Sequence, residues 1–267
     1  MTEQTTLILK VTVHNEEATM GKIALVTGGG GTLGTAVAER LLSIGCRIVL
    51  AGRSKNKLES SPLNDALKFA GDLSQHTDVE RLFGSIHQEY GESPSLLAHC
   101  AGSVMIRPMH RMTHEQYKTC LENNLDSAFL TLKKFVAGLL DSKQGGSAVL
   151  VSSVAARIGI GNHAAVAAAK AGIEGLVRSA AADYANRGIR VNGIAPGLFR
   201  STATEGFFTG EKAENQLAAQ YPLGRYGSVD DEANAICWLL SSEADWITGQ
   251  ILAVDGGFSS IRPLVKG

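Results

Sequence analysis

Residues 22–34 read KIALVTGGGGTLG, and the fold turns on how that stretch is interpreted. Lys22–Thr27 is a short apolar run containing β-branched residues, and four consecutive glycines, Gly28 to Gly31, stop it. Residues 32–45 follow with Leu33, Val37, Leu41 and Leu42 at helical spacing. Glycines in such a turn tolerate positive φ and let the backbone come close to a ligand. The helix N-terminus adds unpaired N–H groups and the positive end of a dipole. Together these suit the pyrophosphate of a dinucleotide. The plain alternative is a sharp glycine turn with no ligand.

Outward from this unit the same alternation repeats. Arg47–Ala51, Leu96–Cys100, Ala148–Ser152, Ile189–Ile194 and Ile251–Val254 read as further strands, with helical patterns near residues 78–90, 114–140, 163–187 and 229–241. Apolar strands alternating with helices predict an α/β fold: a Rossmann-type, doubly wound parallel sheet covered on both faces, in a single domain. No repeat or composition break divides the chain. Residues 1–19 stand outside the alternation, and Met20 opens it, so the expected domain is 20–267. For residues 1–19 three readings stay open: an added strand, a mobile arm, or translation from an upstream start codon.

Composition narrows the function classes. Of 267 residues, 44% are hydrophobic and 19% charged, enough apolar material for a full core and against disorder. A net charge of -1 argues against nucleic acid or an anionic membrane surface as the main partner. Aromatics at 6% are too sparse for a base-stacking platform. No apolar run approaches the roughly 18 residues that span a bilayer. Thr6–Val13 is interrupted by Lys10 and lacks the features of a secretory leader. Cys46, Cys100, Cys120 and Cys237 form neither a CxxC nor a zinc spacing, which predicts no metal and a reducing, cytoplasmic setting.

The second strand selects the dinucleotide. NAD sites place a carboxylate about 20 residues past the turn, whereas an arginine suits the 2′-phosphate of NADP. The strand here ends Ala51-Gly52-Arg53-Ser54, with no carboxylate. Arg53 can make a bidentate, charge-assisted contact to phosphate. NADP is therefore the expected cofactor and NAD the other candidate; the plain alternative is a surface arginine.

At this point residues 20–267 resemble the short-chain dehydrogenase/reductase family. Thr27, Gly28 and Gly34 match its TGxxxGxG turn; Thr32 stands at the middle glycine, and Gly31 fits the TGxxGxxG spacing of longer relatives. Asp72-Leu73 resembles the adenine contact. His99-Cys100-Ala101-Gly102 stands where NNAG is usual, so the two asparagines that brace the family's central sheet are absent. Asn124 matches the helix asparagine that holds a catalytic water. Pro196-Gly197, with Phe199 and with Ser201 at the usual threonine position, resembles the segment that closes over the nicotinamide. Val254-Asp255-Gly256-Gly257 matches the last strand and its turn. The resemblance thus implies a cofactor site of Thr27, Gly28, Gly31, Thr32, Leu33 and Gly34 at the turn, with Arg53, Asp72 and Leu73 beyond. Cys100, Ala101, Gly102, Lys170, Pro196, Gly197, Phe199 and Ser201 would complete it. Cys100 itself reads as a small packing residue rather than a nucleophile.

The family's active-site frame places a serine thirteen residues before a tyrosine and a lysine four after it. Ser153 and Lys170 keep that frame, but position 166 is valine. The resemblance therefore implies a divergent member lacking the catalytic tyrosine. A positioned acid or base is worth roughly 10²–10⁴-fold in rate, and valine supplies none of it. Either another group moves the proton or the reaction is lost. His163 is the best substitute. It lies seven residues before Lys170, two helical turns along nearly the same face. In the enoyl-acyl-carrier-protein reductases, a divergent branch of the family, the catalytic tyrosine has that spacing, and Asn162-His163 falls on its Asn-Tyr pair. The glycine turn does not follow that branch. A lysine ammonium close by would disfavour imidazolium, so His163 suits a water relay or oxidation better than direct carbonyl protonation.

Each residue has a plain alternative. His163 could be a polar helix-start residue, Ser153 a strand-end cap, and Lys170 a solvated helix residue. Asn124 has poor helix propensity, which favours a buried polar role. Segment 198–225 reads as an irregular lid, and its Phe199, Phe207 and Phe208 suggest an apolar substrate portion. The expected function is an NADP(H)-dependent oxidoreductase acting on a small carbonyl/alcohol or enoyl substrate. The alternative is a non-catalytic NADP(H)-binding sensor, scaffold or partner subunit; non-redox chemistry in the same cleft is a third. The resemblance also implies a homodimer or homotetramer built on helices 114–140 and 163–187. Ala164, Ala165, Ala167, Ala168 and Ala171 would permit close packing there.

Overall fold

The computed structural model describes residues 19–262. All but the last residue of the expected 1–19 extension lies outside the described residues. Seven strands form one parallel sheet in the order β3-β2-β1-β4-β5-β6-β7. They are β1 (Ile23–Thr27), β2 (Arg47–Gly52), β3 (Leu67–Ala70), β4 (Leu96–His99), β5 (Gly146–Val151), β6 (Ile189–Pro196) and β7 (Ile251–Val254). The helices are α1 (Thr32–Ser43), α2 (Lys55–Glu59), α3 (His76–Tyr90), α4 (His114–Leu121), α5 (Ser127–Ser142), α6 (Ala164–Tyr184), α7 (Glu211–Ala218) and α8 (Val229–Leu240). The result is the doubly wound, single-domain α/β architecture that the alternating pattern predicts.

Period-two alternation builds two cores. In β1, Ile23 and Leu25 face α3, α5 and α6, while Ala24 and Val26 face α1 and α8. Both faces of the strands are therefore buried, which explains their continuous apolar character. β3, α7 and the short α2 were not expected from the sequence. β3 is a four-residue edge strand containing Lys68, too short and too polar for an apolar-run signal. α7 lies inside the segment expected to be irregular. The expected helix 114–140 is interrupted: Thr113 starts α4 with a capping box to Gln116, and a π-helical turn, Glu122–Asp126, separates α4 from α5. Such turns recur at functional sites, and this one carries Asn124.

Between β1 and β4 the strand order reverses, which opens a crevice at the strands' C-terminal ends. A buried imidazole holds that point together. His99 Nδ1 lies 3.0 Å from Thr27 Oγ1, and its Nε2 lies 3.4 Å from Ser127 Oγ on α5. Burial, reinforced by the charge of Lys170, pushes His99 down to about 3, so the ring is neutral. The brace of the central sheet is thus carried by a histidine where the family usually has asparagine.

Glu232, in the first turn of α8, is fully buried, and among the described residues neither carboxyl oxygen has a hydrogen-bond partner. Burial, then the nearby Asp231 and Asp255, pushes it up to about 9, so it is neutral near pH 7. A carboxyl whose proton is held more tightly when folded stabilises the fold at low pH. That contribution begins to fade above the ordinary carboxyl range and is gone once the pH passes about 9. The slope is at most about 1.4 kcal/mol per pH unit. Glu232→Gln removes this slope. Its melting temperature relative to wild type should rise by several degrees between about pH 5 and pH 8. Parallel melting curves across that range would show Glu232 to be solvated or paired.

Candidate functional site

A cleft of about 610 Å³ runs along the C-terminal edge of the sheet. Gly28 opens its floor with φ +67°, and a Cβ there would lie 2.9 Å from Ala101 N and from the Cys100 carbonyl. A Cβ on Gly34 would stand 2.3 Å from Gly28 O. Both positions therefore require glycine. Gly31 is the N-cap of α1 and makes no side-chain capping bond, so the first-turn N–H groups of this 12-residue helix have no side-chain cap beside the cleft. Thr32 and Leu33 line the cleft beside that end. An uncapped helix N-terminus beside a close-approach glycine turn fits a pyrophosphate.

Toward β2 and β3 the cleft is charged. Arg53 donates from Nη1 to Asn123 Oδ1 at 2.9 Å, which holds its guanidinium across the crevice mouth. Lys57 lines the same end. The Asp72 carboxylate accepts from Ser74 N at 3.0 Å and Ser74 Oγ at 2.8 Å, and Leu73 beside it is buried. Cys100, Ala101, Gly102, Pro196, Gly197, Phe199 and Ser201 also face the cleft. Burial pushes the Cys100 thiol up to about 12, which makes it a packing group rather than a nucleophile. Thr27 is the exception among the expected cofactor contacts. It is buried behind the wall, where its hydroxyl accepts from Ala101 N at 3.1 Å and meets His99. The lid reaches back over the turn: Thr202 N donates to Thr32 Oγ1 at 3.2 Å.

The middle of the cleft gathers Asn124, Ser153, His163 and Lys170. Lys170 is 7% exposed, and its Nζ donates to the Val151 carbonyl at 2.8 Å. Burial pulls it down to about 8. The Asn124 amide is occupied: Oδ1 accepts from Ser103 N at 3.2 Å, and Nδ2 donates to Cys120 O at 2.9 Å and Ser103 O at 3.2 Å. It locks the loop after β4 beneath Lys170. Ser153 Oγ accepts from Ala155 N at 3.2 Å, capping a short 3₁₀ turn, and among the described residues its own hydrogen has no acceptor.

His163 sits at the N-cap of α6 and is half-buried. Its Nδ1 lies 2.7 Å from Gly161 O. Asn162 between them takes φ +66°, left-handed backbone that asparagine tolerates, and its carbonyl accepts from Arg107 N at 2.8 Å. That clamp ties the histidine loop to the loop after β4. Val166, one turn before Lys170, is 6% exposed and packs with Cys120, Met105 and Met112. The His99 brace, the Asn123 contact to Arg53 and the Gly161–Asn162 loop were not foreseen. Only Asn162 left a sequence trace, a turn-prone residue beside glycine. Among the described residues no cluster of His, Cys, Asp or Glu could hold a metal, and no helix is long and apolar enough to cross a membrane.

Comparison with known proteins agrees with this architecture. Residues 30–259 match the family model described as enoyl-(acyl carrier protein) reductase. The chain is 35% identical over 242 residues to the 3-oxoacyl-[acyl-carrier-protein] reductase FabG of Escherichia coli K12, covering 89% of this chain and 97% of the relative. It is 31% identical over 245 residues to the 2,5-dichloro-2,5-cyclohexadiene-1,4-diol dehydrogenase of Sphingobium indicum, covering 90% and 98%. The crystal structure of levodione reductase superposes with a TM-score of 0.84 at 28% identity, covering 91% of this chain and 99% of that one. With a match across most of its length and the sheet order described above, the chain belongs to the short-chain dehydrogenase/reductase family of oxidoreductases.

Proposed function

We propose that the chain is an NADP(H)-dependent oxidoreductase that interconverts a small alcohol and its carbonyl compound. Val166 takes the place of the family's tyrosine, and His163 moves the proton. The observation that carries this reading is the 2.7 Å contact from His163 Nδ1 to the Gly161 carbonyl. A carbonyl only accepts, so Nδ1 bears the hydrogen, and the neutral ring keeps its lone pair on Nε2. A ring held in that tautomer is a base. Alcohol oxidation is then the natural direction: the hydroxyl proton passes to Nε2 as the carbinol carbon gives up hydride. In reduction the imidazolium returns the proton. The Ser153 hydroxyl donates to the substrate oxygen and polarises it.

Lys170 binds rather than titrates in this scheme. One of its N–H groups is committed to Val151 O, and the others serve the ribose hydroxyls of the cofactor. The turn residues Gly28, Gly31, Thr32, Leu33 and Gly34 hold the pyrophosphate. Arg53, oriented by Asn123 and joined by Lys57, favours a 2′-phosphate, which selects NADP over NAD. Asp72, Leu73, Cys100, Ala101, Gly102, Pro196, Gly197, Phe199 and Ser201 complete the cradle, with Thr27 supporting it from behind. Bound NADP⁺ supplies the hydride acceptor. Free Cys46, Cys100, Cys120 and Cys237 accord with a reducing cytoplasm. Exposed Ala164, Ala168 and Ala171 on α6, with half-exposed Phe129 on α5, accord with a homodimer or homotetramer.

Val166 also favours a second reading, a non-catalytic NADP(H)-binding subunit, and two variants separate the readings. His163→Ala should cut the turnover number for alcohol oxidation at least about tenfold while leaving NADPH affinity, read by fluorescence titration, unchanged. An unaltered rate removes His163 from the mechanism. If wild type binds NADPH without turnover and Val166→Tyr gains activity, the subunit reading stands instead.

Cofactor choice is tested at Arg53. Loss of a charge-assisted phosphate contact costs about 1.5–3 kcal/mol, or roughly ten- to hundredfold in affinity. Arg53→Ala should weaken NADP⁺ binding by that factor and leave NAD⁺ nearly unaffected. Equal losses for both would place the 2′-phosphate elsewhere.

A further inference from the structure

We infer that the substrate is an uncharged alcohol or ketone on an apolar carbon skeleton, and that the cleft excludes anionic analogues. The inference names the substrate class of the oxidoreductase reading above and rests on it. It comes from the division of charge along the cleft.

Among the described residues lining the cleft, the Lys, Arg, Asp, Glu and His side chains are Arg53, Lys57, Asp72, His163 and Lys170; the Cys100 thiol and the Tyr221 phenol, both raised by burial, are neutral. The first three follow β2 and β3, at one edge of the sheet. Lys170 and His163 stand in the middle. The rest of the apolar lining is neutral: Ile106 and Ile160 in the loops after β4 and β5, Val166 on α6, and Phe207, Leu217 and Phe258 in the segments after β6 and β7. The polar groups at the β6–β7 end are uncharged: Gln220, Tyr221 and the lid hydroxyls of Ser201, Thr202 and Thr204. The Tyr221 hydroxyl accepts from Leu198 N at 2.7 Å.

Cations do occur near this end, but their partners hold them elsewhere. Arg200 pairs with Glu214 at 2.5 Å and stacks over the Phe208 ring at 4.5 Å. Arg157 pairs with Glu174 at 3.0 Å and donates to Ile251 O at 3.0 Å. Arg225 forks onto both oxygens of Asp231 at 2.7 and 2.9 Å. None of the three lines the cleft. A carboxylate or phosphate on the substrate's distal part would lose its water and gain no cationic partner, which is costly in largely apolar surroundings. An alkyl or carbocyclic body loses only unfavourable hydration there. Ile106 and Phe207, 40% and 39% exposed, extend the apolar surface out to the mouth.

The test uses ligands that differ only in charge. Methyl 4-oxocyclohexanecarboxylate and 4-oxocyclohexanecarboxylate are titrated calorimetrically into the NADP⁺-saturated protein, where a ketone cannot react. The ester should bind at least about tenfold tighter than the acid. Ile106→Arg, which places a cation at the mouth, should tighten the acid at least about tenfold and leave the ester within about twofold. Equal or tighter binding of the acid to wild type overturns the inference, and so does failure of the ester to bind. The matching alcohol ester, methyl 4-hydroxycyclohexanecarboxylate, is then assayed for NADP⁺ reduction. Ester binding without turnover of that alcohol supports the inference and counts against the oxidoreductase reading alone.

Discussion

The hydrogen-bonded chain from Thr27 through His99 to Ser127 holds the molecule together where its topology pulls it apart. A doubly wound sheet reverses strand order between β1 and β4, so the loops leaving those strands turn to opposite faces and open the crevice. The crevice has to stay open on its solvent side and fixed at its base. Thr27 Oγ1 also receives Ala101 N, which pins the loop that leaves β4. Gly102 in that loop then lies against Asn124 and Lys170, with no room for a Cβ. Asn124 fixes Ser103 from the π-helical turn. One buried neutral ring therefore sets the floor on which the central side chains stand. Neutrality matters, because a charged imidazole beside a buried lysine would cost both desolvation and repulsion.

Much of the fold was legible because doubly buried strands leave long apolar runs and the helices between them have period 3.6. The glycine turn was legible because its steric demand falls on single positions, Gly28 and Gly34. β3 was not, since four residues at a sheet edge with Lys68 among them give no pattern. In the site, His163 and Lys170 could be related from sequence because seven residues return to nearly the same helix face, whereas Ser153 could be placed with them only through the family resemblance. The unforeseen contacts join distant segments: Thr27 to His99 across 72 residues, Arg53 to Asn123 across 70. No local periodicity encodes such pairs. The tautomer of His163 was equally invisible, because it depends on where the Gly161 carbonyl points.

That carbonyl changes how His163 and Lys170 relate. From sequence alone, a lysine near the histidine argues only that imidazolium is disfavoured. The geometry adds that the ring is oriented, with Nδ1 held 2.7 Å from the Gly161 carbonyl and Nε2 on the opposite side of the ring. Burial draws Lys170 down to about 8 while the Val151 carbonyl accepts one of its hydrogens. It stays mostly cationic near neutrality, suited to holding hydroxyl groups.

Once the proton is assigned to position 163, position 166 is freed from polarity. In a site that relies on a hydroxyl at that position, the neighbouring wall has to accommodate a polar group and its partners. Val166 instead joins Cys120, Met105 and Met112 in an apolar cluster behind the cleft. Methionine is the side chain that adapts most readily to an altered neighbour. Val166 and Ile160 line the cleft together with the lid residues Phe199 and Phe207. Under the proposed function the valine and the neutral substrate end belong together: a proton-handling group at position 163 rather than 166 would leave the wall beside an apolar substrate body without a polar group.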